Sequence, residues 1–428
     1  MPALALVLTL AAALAATAQT AAPREEKLLN GLRLLVWNQP NAEKVSLRLR
    51  VHSGSAFDPQ GKEGTMRLLA EILFPDETTR EFFRDDLGGE LEIVSNYDFI
   101  QINASGDADK FLTILETLAA GLTNPSINKE TTEKVRARLL AEVRELEKNP
   151  VYVADRTVAR RLFGTFPYGR PPAGSAESLA RVDFADLLLA KERFLTSDNA
   201  TLAVVGSVRP DFALRATKRL FGGWVKSDRK VPPTFAQPEA PSTSTDFVAA
   251  NGAETAEIRQ AVRGLAKNDK DFAAGRIVEK VLEERFAKAL ANAGGARTFV
   301  RGDAHVLPGI VVFGATVPAE NVKAALADSH KADYFKPISA DEFARAKTAL
   351  EAAAPNLSLP TAADRWLDVE TYRLTPLGEQ SKAAAAVTLA DAERVLERLF
   401  RNAKFASVLV GDPEKLKGVT EPVKPTGN

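Results

Sequence analysis

The 428-residue chain contains no cysteine and only three histidines, His52, His305 and His330. Without cysteine there are no disulfides, no thiolate metal ligands, no cysteine nucleophile and no lipid-modified N-terminal cysteine. Three histidines so far apart nearly exclude a multi-histidine metal centre, and all three read as structural or surface residues. There is no excess charge of either sign, with 56 basic residues against 56 acidic ones. That argues against a nucleic-acid binder, because phosphate recognition leaves a basic excess. Nor is any run long and apolar enough to cross a bilayer, which takes about 20 residues, so no membrane insertion of a mature chain is expected.

What is present belongs to a globular protein: 45% hydrophobic and 26% charged residues, the usual mix of a folded chain. At about 150 residues per domain the length suggests two or three domains, large enough to bury a core without covalent staples. Ala3 to Ala16 is apolar apart from Thr9, and Ala16-Thr17-Ala18 offers a small-x-small cleavage pattern. Residues 1–18 therefore read as a secretory signal peptide, although only the terminal amine supplies positive charge ahead of the apolar run. A mature start near Gln19 and export to a periplasm or the exterior are expected.

Residues 231–245 read as a linker. They hold Pro232, Pro233, Pro238 and Pro241, then Ser242-Thr243-Ser244-Thr245, which favour extended chain and add no core. The flanking domains, 19–230 and 246–428, look like repeats of one another. Val182, Asp186 and Gly206 recur 205 positions later as Val387, Asp391 and Gly411, each set running through a helical stretch into an apolar strand.

Strands are expected at 32–37 and 45–51, the latter alternating apolar and polar as a strand with one face in solvent does. Residues 91–104 read as a strand pair. A helix is expected over 107–122 with Asp107 as N-cap, and another over 129–148 with Val135, Leu139, Val143 and Leu146 on one stripe. The second half repeats the theme, with a helix over 269–292 and strands at 296–300 and 309–317. Strand pairs followed by groups of helices point to α+β, two homologous sandwich halves with antiparallel-rich sheets and packed helices, rather than a βαβ parallel sheet.

Five strings in order carry a resemblance to the insulinase/pitrilysin family of zinc peptidases. Leu28 to Val36 resembles its opening L-x-N-G-L-x-x-x-V strand, and Gly54-Ser55-Ala56-Phe57-Asp58 the turn after its second strand. Gly88-Gly89-Glu90-Leu91 resembles its G-G-x-l segment and Pro167-Tyr168-Gly169-Arg170-Pro171 its P-Y-G-x-P loop. Phe221-Gly222-Gly223-Trp224 resembles the close of its first half. Active members carry His-x-x-Glu-His on a helix, two ligands at i and i+4 with the Glu as general base, and a distant Glu as third ligand.

Here Arg67 and Glu71 stand at the two histidine positions and Ala70 at the base position, while Glu142 matches the distant ligand. A guanidinium stays protonated and cannot ligate a cation, so zinc is expected to be absent and no catalytic residue is assigned. Two readings of Arg67 and Glu71 remain: an exposed i,i+4 pair, or a replacement of the metal's charge in which Arg67 pairs with both Glu71 and Glu142. The resemblance also implies a substrate-holding arginine near the position of Ala291 and a tyrosine near that of Thr298 or Phe299; on the simplest reading both are lost here, Arg297 being the residue that could still serve. It implies a chamber for extended peptides and, by analogy with paired members, a non-catalytic partner of an active homologous peptidase. A zinc endopeptidase with an atypical site and a purely structural subunit are the alternatives.

Overall fold

The computed structural model describes residues 22–227, 231–294, 296–329, 332–352 and 358–419. The proposed signal peptide and His330 lie outside them. Among the described residues the strands are β1 Arg24–Lys27, β2 Arg33–Asn38, β3 Lys44–Val51, β4 Leu91–Ser95, β5 Ile100–Asp107, β6 Ala200–Gly206, β7 Thr245–Ala249, β8 Thr255–Arg263, β9 Arg297–Asp303, β10 Ile310–Pro318 and β11 Ala406–Gly411. The helices of the first sequence half are α1 Thr65–Ile72, α2 Glu77–Asp85, α3 Phe111–Thr123, α4 Lys129–Leu146, α5 Pro150–Phe163, α6 Ala176–Ala180, α7 Phe184–Phe194 and α8 Pro210–Phe221. Those of the second are α9 Phe272–Ala289, α10 Val322–Ser329, α11 Ala340–Ala352, α12 Leu359–Tyr372, α13 Leu377–Ala385 and α14 Leu389–Phe400.

Among the described residues, the first compact unit takes those of 22–143, 172–227, 231–234 and 358–381 and is built on a six-stranded sheet of order β1-β2-β6-β3-β5-β4. Only β2 and β6 run parallel; the other neighbours are antiparallel. Alternate residues of β2 serve opposite faces. Leu34 and Val36 join the main core with Leu47, Leu49, Leu202 and Val204, beneath the helices that include α1 and α3. Leu35 and Trp37 pack on the other face with Ala203 and Val205 against Ala363 and Leu367 of α12. Two-sided burial explains the nearly unbroken apolar run of β2 and β6.

The second unit takes the described residues of 144–171, 235–352 and 382–419 and has the five-stranded order β7-β11-β8-β10-β9. Its pairings repeat those of the first sheet without β1: one parallel pair, β7 with β11, then antiparallel neighbours. The repeated sequence positions fall in equivalent places. Asp186 and Asp391 are the third residues of α7 and α14, each closing a capping box with Asp183 or Thr388, and Gly206 and Gly411 end β6 and β11. The stretch from Val231 to Ser244 has no regular secondary structure.

Two local expectations need correction. Asp107 does not cap a helix: it ends β5, its carboxylate binds Lys44 at 2.6 Å, and α3 begins only at Phe111 after a short 3-10 turn. The polar side of β3 does not face solvent, since Arg50 is only 2% exposed. It lies under α12, where Arg50 donates to Gln101 and Asp368, both at 2.6 Å.

In the second unit Glu342 on α11 accepts two bonds from Arg285, both 2.8 Å, and the Ser339 amide at 2.9 Å. The Arg285 hydrogen bonds hold its carboxyl well below the usual carboxylate range, outweighing desolvation. A depressed carboxyl contributes stability above its unfolded pKa, about 4.3, and loses it as pH falls through the folded value. Glu342→Gln is therefore expected to lower stability at pH 7 and to shrink the loss between pH 7 and pH 3. Urea midpoints at the two pH values measure this, and an unchanged acid loss would refute it.

Candidate functional site

The helix at the position of the zinc motif is α1, and the loop before it sets where it starts. Asp58, 5% exposed, accepts from the backbone N–H groups of Gly64 and Met66, both at 2.8 Å. A carboxylate satisfying N-terminal amides stabilises a helix start. Gly64 has φ +97, the left-handed region that favours glycine. Beyond it Met66, Leu68, Leu69, Ala70 and Ile72 are all buried, leaving Arg67 and Glu71 as the partly exposed i,i+4 pair.

That pair faces a matching one on α4, which buries Val135, Leu139 and Val143 and presents Arg138 and Glu142. The four residues bond crosswise. Arg67 donates to Glu142 at 2.6 Å, and Arg138 donates to Glu71 at 2.8 Å. Arg80 of α2 adds a second bond to Glu71 at 3.3 Å, and Arg138 lies 3.5 Å from Glu142. The expected pairing of Arg67 with Glu71 is not made; Glu71 is held by Arg80 and Arg138, so Arg67 has one carboxylate and not two. Sequence reasoning missed Arg80 and Arg138. The signal for Arg138 was available, since it precedes Glu142 by one helical turn on the same face.

This donor set does not fit zinc. Arg67 has no lone pair to give, Ala70 has no polar side-chain atom, and the two carboxylates are each engaged by guanidinium groups. Placing a dication among three guanidiniums adds repulsion where the motif needs attraction. No group of three His, Asp or Glu side chains able to hold a metal occurs among the described residues. His52 engages both ring nitrogens, with Thr371 and Thr201 hydroxyls at 2.9 Å each. His305 packs against the ring of Tyr168, centroids 4.6 Å apart.

In the second unit, Ala291 is exposed in a short 3-10 turn, Leu290–Ala293, and Thr298 sits on β9 opposite Ala315. Arg297 is exposed on the same edge strand. Phe299, one residue on, is flanked by Arg259 and Arg301, whose guanidinium carbons lie 5.0 and 5.5 Å from its ring centre. Tyr168 of the P-Y-G-x-P string is buried, its hydroxyl accepting from the Leu307 amide at 3.1 Å, which makes that loop a packing element.

The Arg67–Glu142 contact is only partly shielded, with side-chain exposures of 22% and 40%. Solvent screening limits such pairs to about 1 kcal/mol or less, well short of the ~3–5 kcal/mol for a buried pair losing one partner. Arg67→Gln is accordingly expected to shift the urea midpoint only slightly. A loss of several kcal/mol would show that Glu142 is effectively desolvated.

Residues 33–175 match the family model for Insulinase (Peptidase family M16), and residues 181–350 match that for the Peptidase M16 inactive domain. A protein of Rickettsia felis described as an uncharacterized zinc protease is 25% identical over 213 residues, 47% of this chain and 50% of that one. A probable mitochondrial-processing peptidase subunit beta of Schizosaccharomyces pombe is 24% identical over 284 residues, 62% of this chain and 60% of that one. The chain thus spans about half to three fifths of the curated relatives it matches. Among solved structures, a peptidase M16 inactive domain from Pseudomonas fluorescens superposes with a TM-score of 0.80 at 18% identity, covering 91% of this chain and 98% of that one. At that identity the likeness establishes the fold.

Proposed function

Because the chain belongs to the insulinase (M16) peptidase family, we propose that it is a non-catalytic member, exported from the cytoplasm, that binds extended peptides and serves as partner subunit to an active zinc peptidase. One observation carries the reading: the helix that should hold two zinc ligands and the base is closed by cross-helix ion pairs through Arg67, Glu71, Arg138 and Glu142. Each residue that replaces a motif position has a structural role in this closure or in the core, and Ala70 is fully buried. Such a helix has no base to activate water and no Lewis acid to polarise a peptide carbonyl. What remains of the family's equipment is sheet edges to which an extended peptide can add by main-chain hydrogen bonds. Support for the pairing comes from a relative that is itself described as a subunit of a processing peptidase.

The test takes the purified mature chain alone and together with a homologous peptidase carrying an intact His-x-x-Glu-His. Alone, it is expected to contain no stoichiometric zinc and to leave an unfolded polypeptide uncut. With the active homologue it should co-purify and raise cleavage. One tightly held zinc per chain with chelator-sensitive proteolysis would overturn the reading. Failure to associate with peptide or homologue would remove the partner role.

A further inference from the structure

The two compact units do not follow the two sequence halves, because each half supplies one helix to the other half's sheet. The first half sends α5 to the second unit, along β8 and β11, and the second half sends α12 to the first unit, along β3 and β6. The two helices are themselves a repeat. Ala154-Asp155-Arg156 and Ala363-Asp364-Arg365 are 209 positions apart, and each Asp is the sixth residue of its helix. Ala154 and Ala363 are both fully buried, as are Val158 and Leu367 one turn further on. A small residue there lets the helix approach the sheet closely.

The receiving sheets repeat as well. Arg48 on β3 and Arg259 on β8 hold equivalent places on the strand that lies between β6 and β5 or between β11 and β10. Arg48 pairs with Ala203 and Asn103, and Arg259 with Val408 and Gly314. Each meets the Asp of the incoming helix: Arg48 to Asp364 at 2.9 Å, Arg259 to Asp155 at 2.6 Å. Gln101 steadies Asp364 at 2.9 Å. An arginine on an open sheet face, which would stay solvated in a lone half, is thus covered by a carboxylate arriving from the other half, completely for Arg259 and in large part for Arg48.

We infer that each sequence half is an incomplete fold whose open sheet face is the docking surface for one helix of the other half, with the Asp–Arg pair fixing which helix docks and in what register. The halves are obligate partners, and the linker is not what holds them together. Main-chain continuity is dispensable once both helices are seated; the Asp–Arg contacts are not.

The experiment uses the full chain with a specific protease site inserted between the exposed residues Ala236 and Gln237, cut after folding. Trp37 of the first half and Trp366 on α12 of the second lie edge to face at 6.1 Å, so tryptophan emission reports seating of α12. The cut protein is expected to elute as one full-size particle with unchanged emission. Asp364→Arg in the same chain should weaken association of the cut halves by roughly 10-fold, because it sets a third guanidinium beside Arg48 and Arg50 at a contact that solvent partly screens. Arg48→Asp should restore it, whereas Arg259→Asp should not. Elution of the cut parent as two folded half-size species would overturn the inference, as would full retention in Asp364→Arg or rescue by Arg259→Asp. Should Asp364→Arg fail to fold, Asp364→Asn serves in its place: a weaker loss in the same direction supports the register, and no loss refutes it.

Discussion

Replacing Arg259 by leucine is expected to destabilise the protein by about 3–5 kcal/mol, the cost of stranding buried charge. Arg259 is completely buried, and so nearly is Glu257, at 2% exposure, whose carboxylate lies 3.0 Å from the guanidinium. Asp155 is bonded to the same guanidinium at 2.6 Å. Leucine would leave Glu257 with the Thr316 hydroxyl at 2.8 Å as its remaining described partner. Adding Glu257→Gln should recover a large part of the loss, because a neutral amide needs no counter-charge. The double-mutant cycle, read from urea midpoints with an unchanged m-value, decides the matter. Purely additive effects would show that Arg259 acts through packing over Phe299 rather than through charge.

Ala70→Glu is expected to be the most damaging single change in α1, although it restores the residue type that active relatives place there. Ala70 has no exposed surface and belongs to the main core of the first unit. Four added heavy atoms must displace packed neighbours, at ~1–3 kcal/mol, and an unpartnered buried carboxyl adds at least ~2 kcal/mol. Burial raises the carboxyl's folded pKa, so the penalty should grow as pH rises from about 4, because the unfolded chain then ionises first. Urea unfolding between pH 4 and pH 8 checks the sign; a variant as stable as the parent would show that the core around residue 70 opens readily.

The consequence for engineering is that the motif cannot be rebuilt in one step. Arg67→His with Glu71→His would place two imidazoles one turn apart with Glu142 already directed at position 67. Those three groups suit zinc, whereas the base would still have to enter a filled core. Metal binding and catalysis therefore separate in this chain. Ala291 and Thr298 also stand where the family resemblance implies a substrate-holding arginine and tyrosine, with Arg297 the neighbouring candidate.

Much of the fold was legible because it rests on local rules. The α+β class, both strand pairs, the charged helix α4 and the 205-residue repeat all follow from periodicity, capping residues and glycine positions, which act within a few residues of chain. The loss of the zinc motif was legible for the same reason, since ligand geometry on a helix depends only on residue type and spacing. The contact of Arg67 with Glu142 was anticipated through the family resemblance alone, whereas the partners of Glu71 were missed, because Arg138 and Arg80 reach it through packing of α4 and α2 on α1. The fate of Arg48 and Arg50 was not legible either. An alternating strand implies a solvated polar face, and no local rule could announce that Asp364 and Asp368, more than 300 positions on, would cover it. The sequence alone determined which elements form and what chemistry α1 has lost. Only tertiary structure decided which half completes which sheet, because a buried ion pair is specified by the meeting of two surfaces, and each residue by itself is indistinguishable from one that faces water.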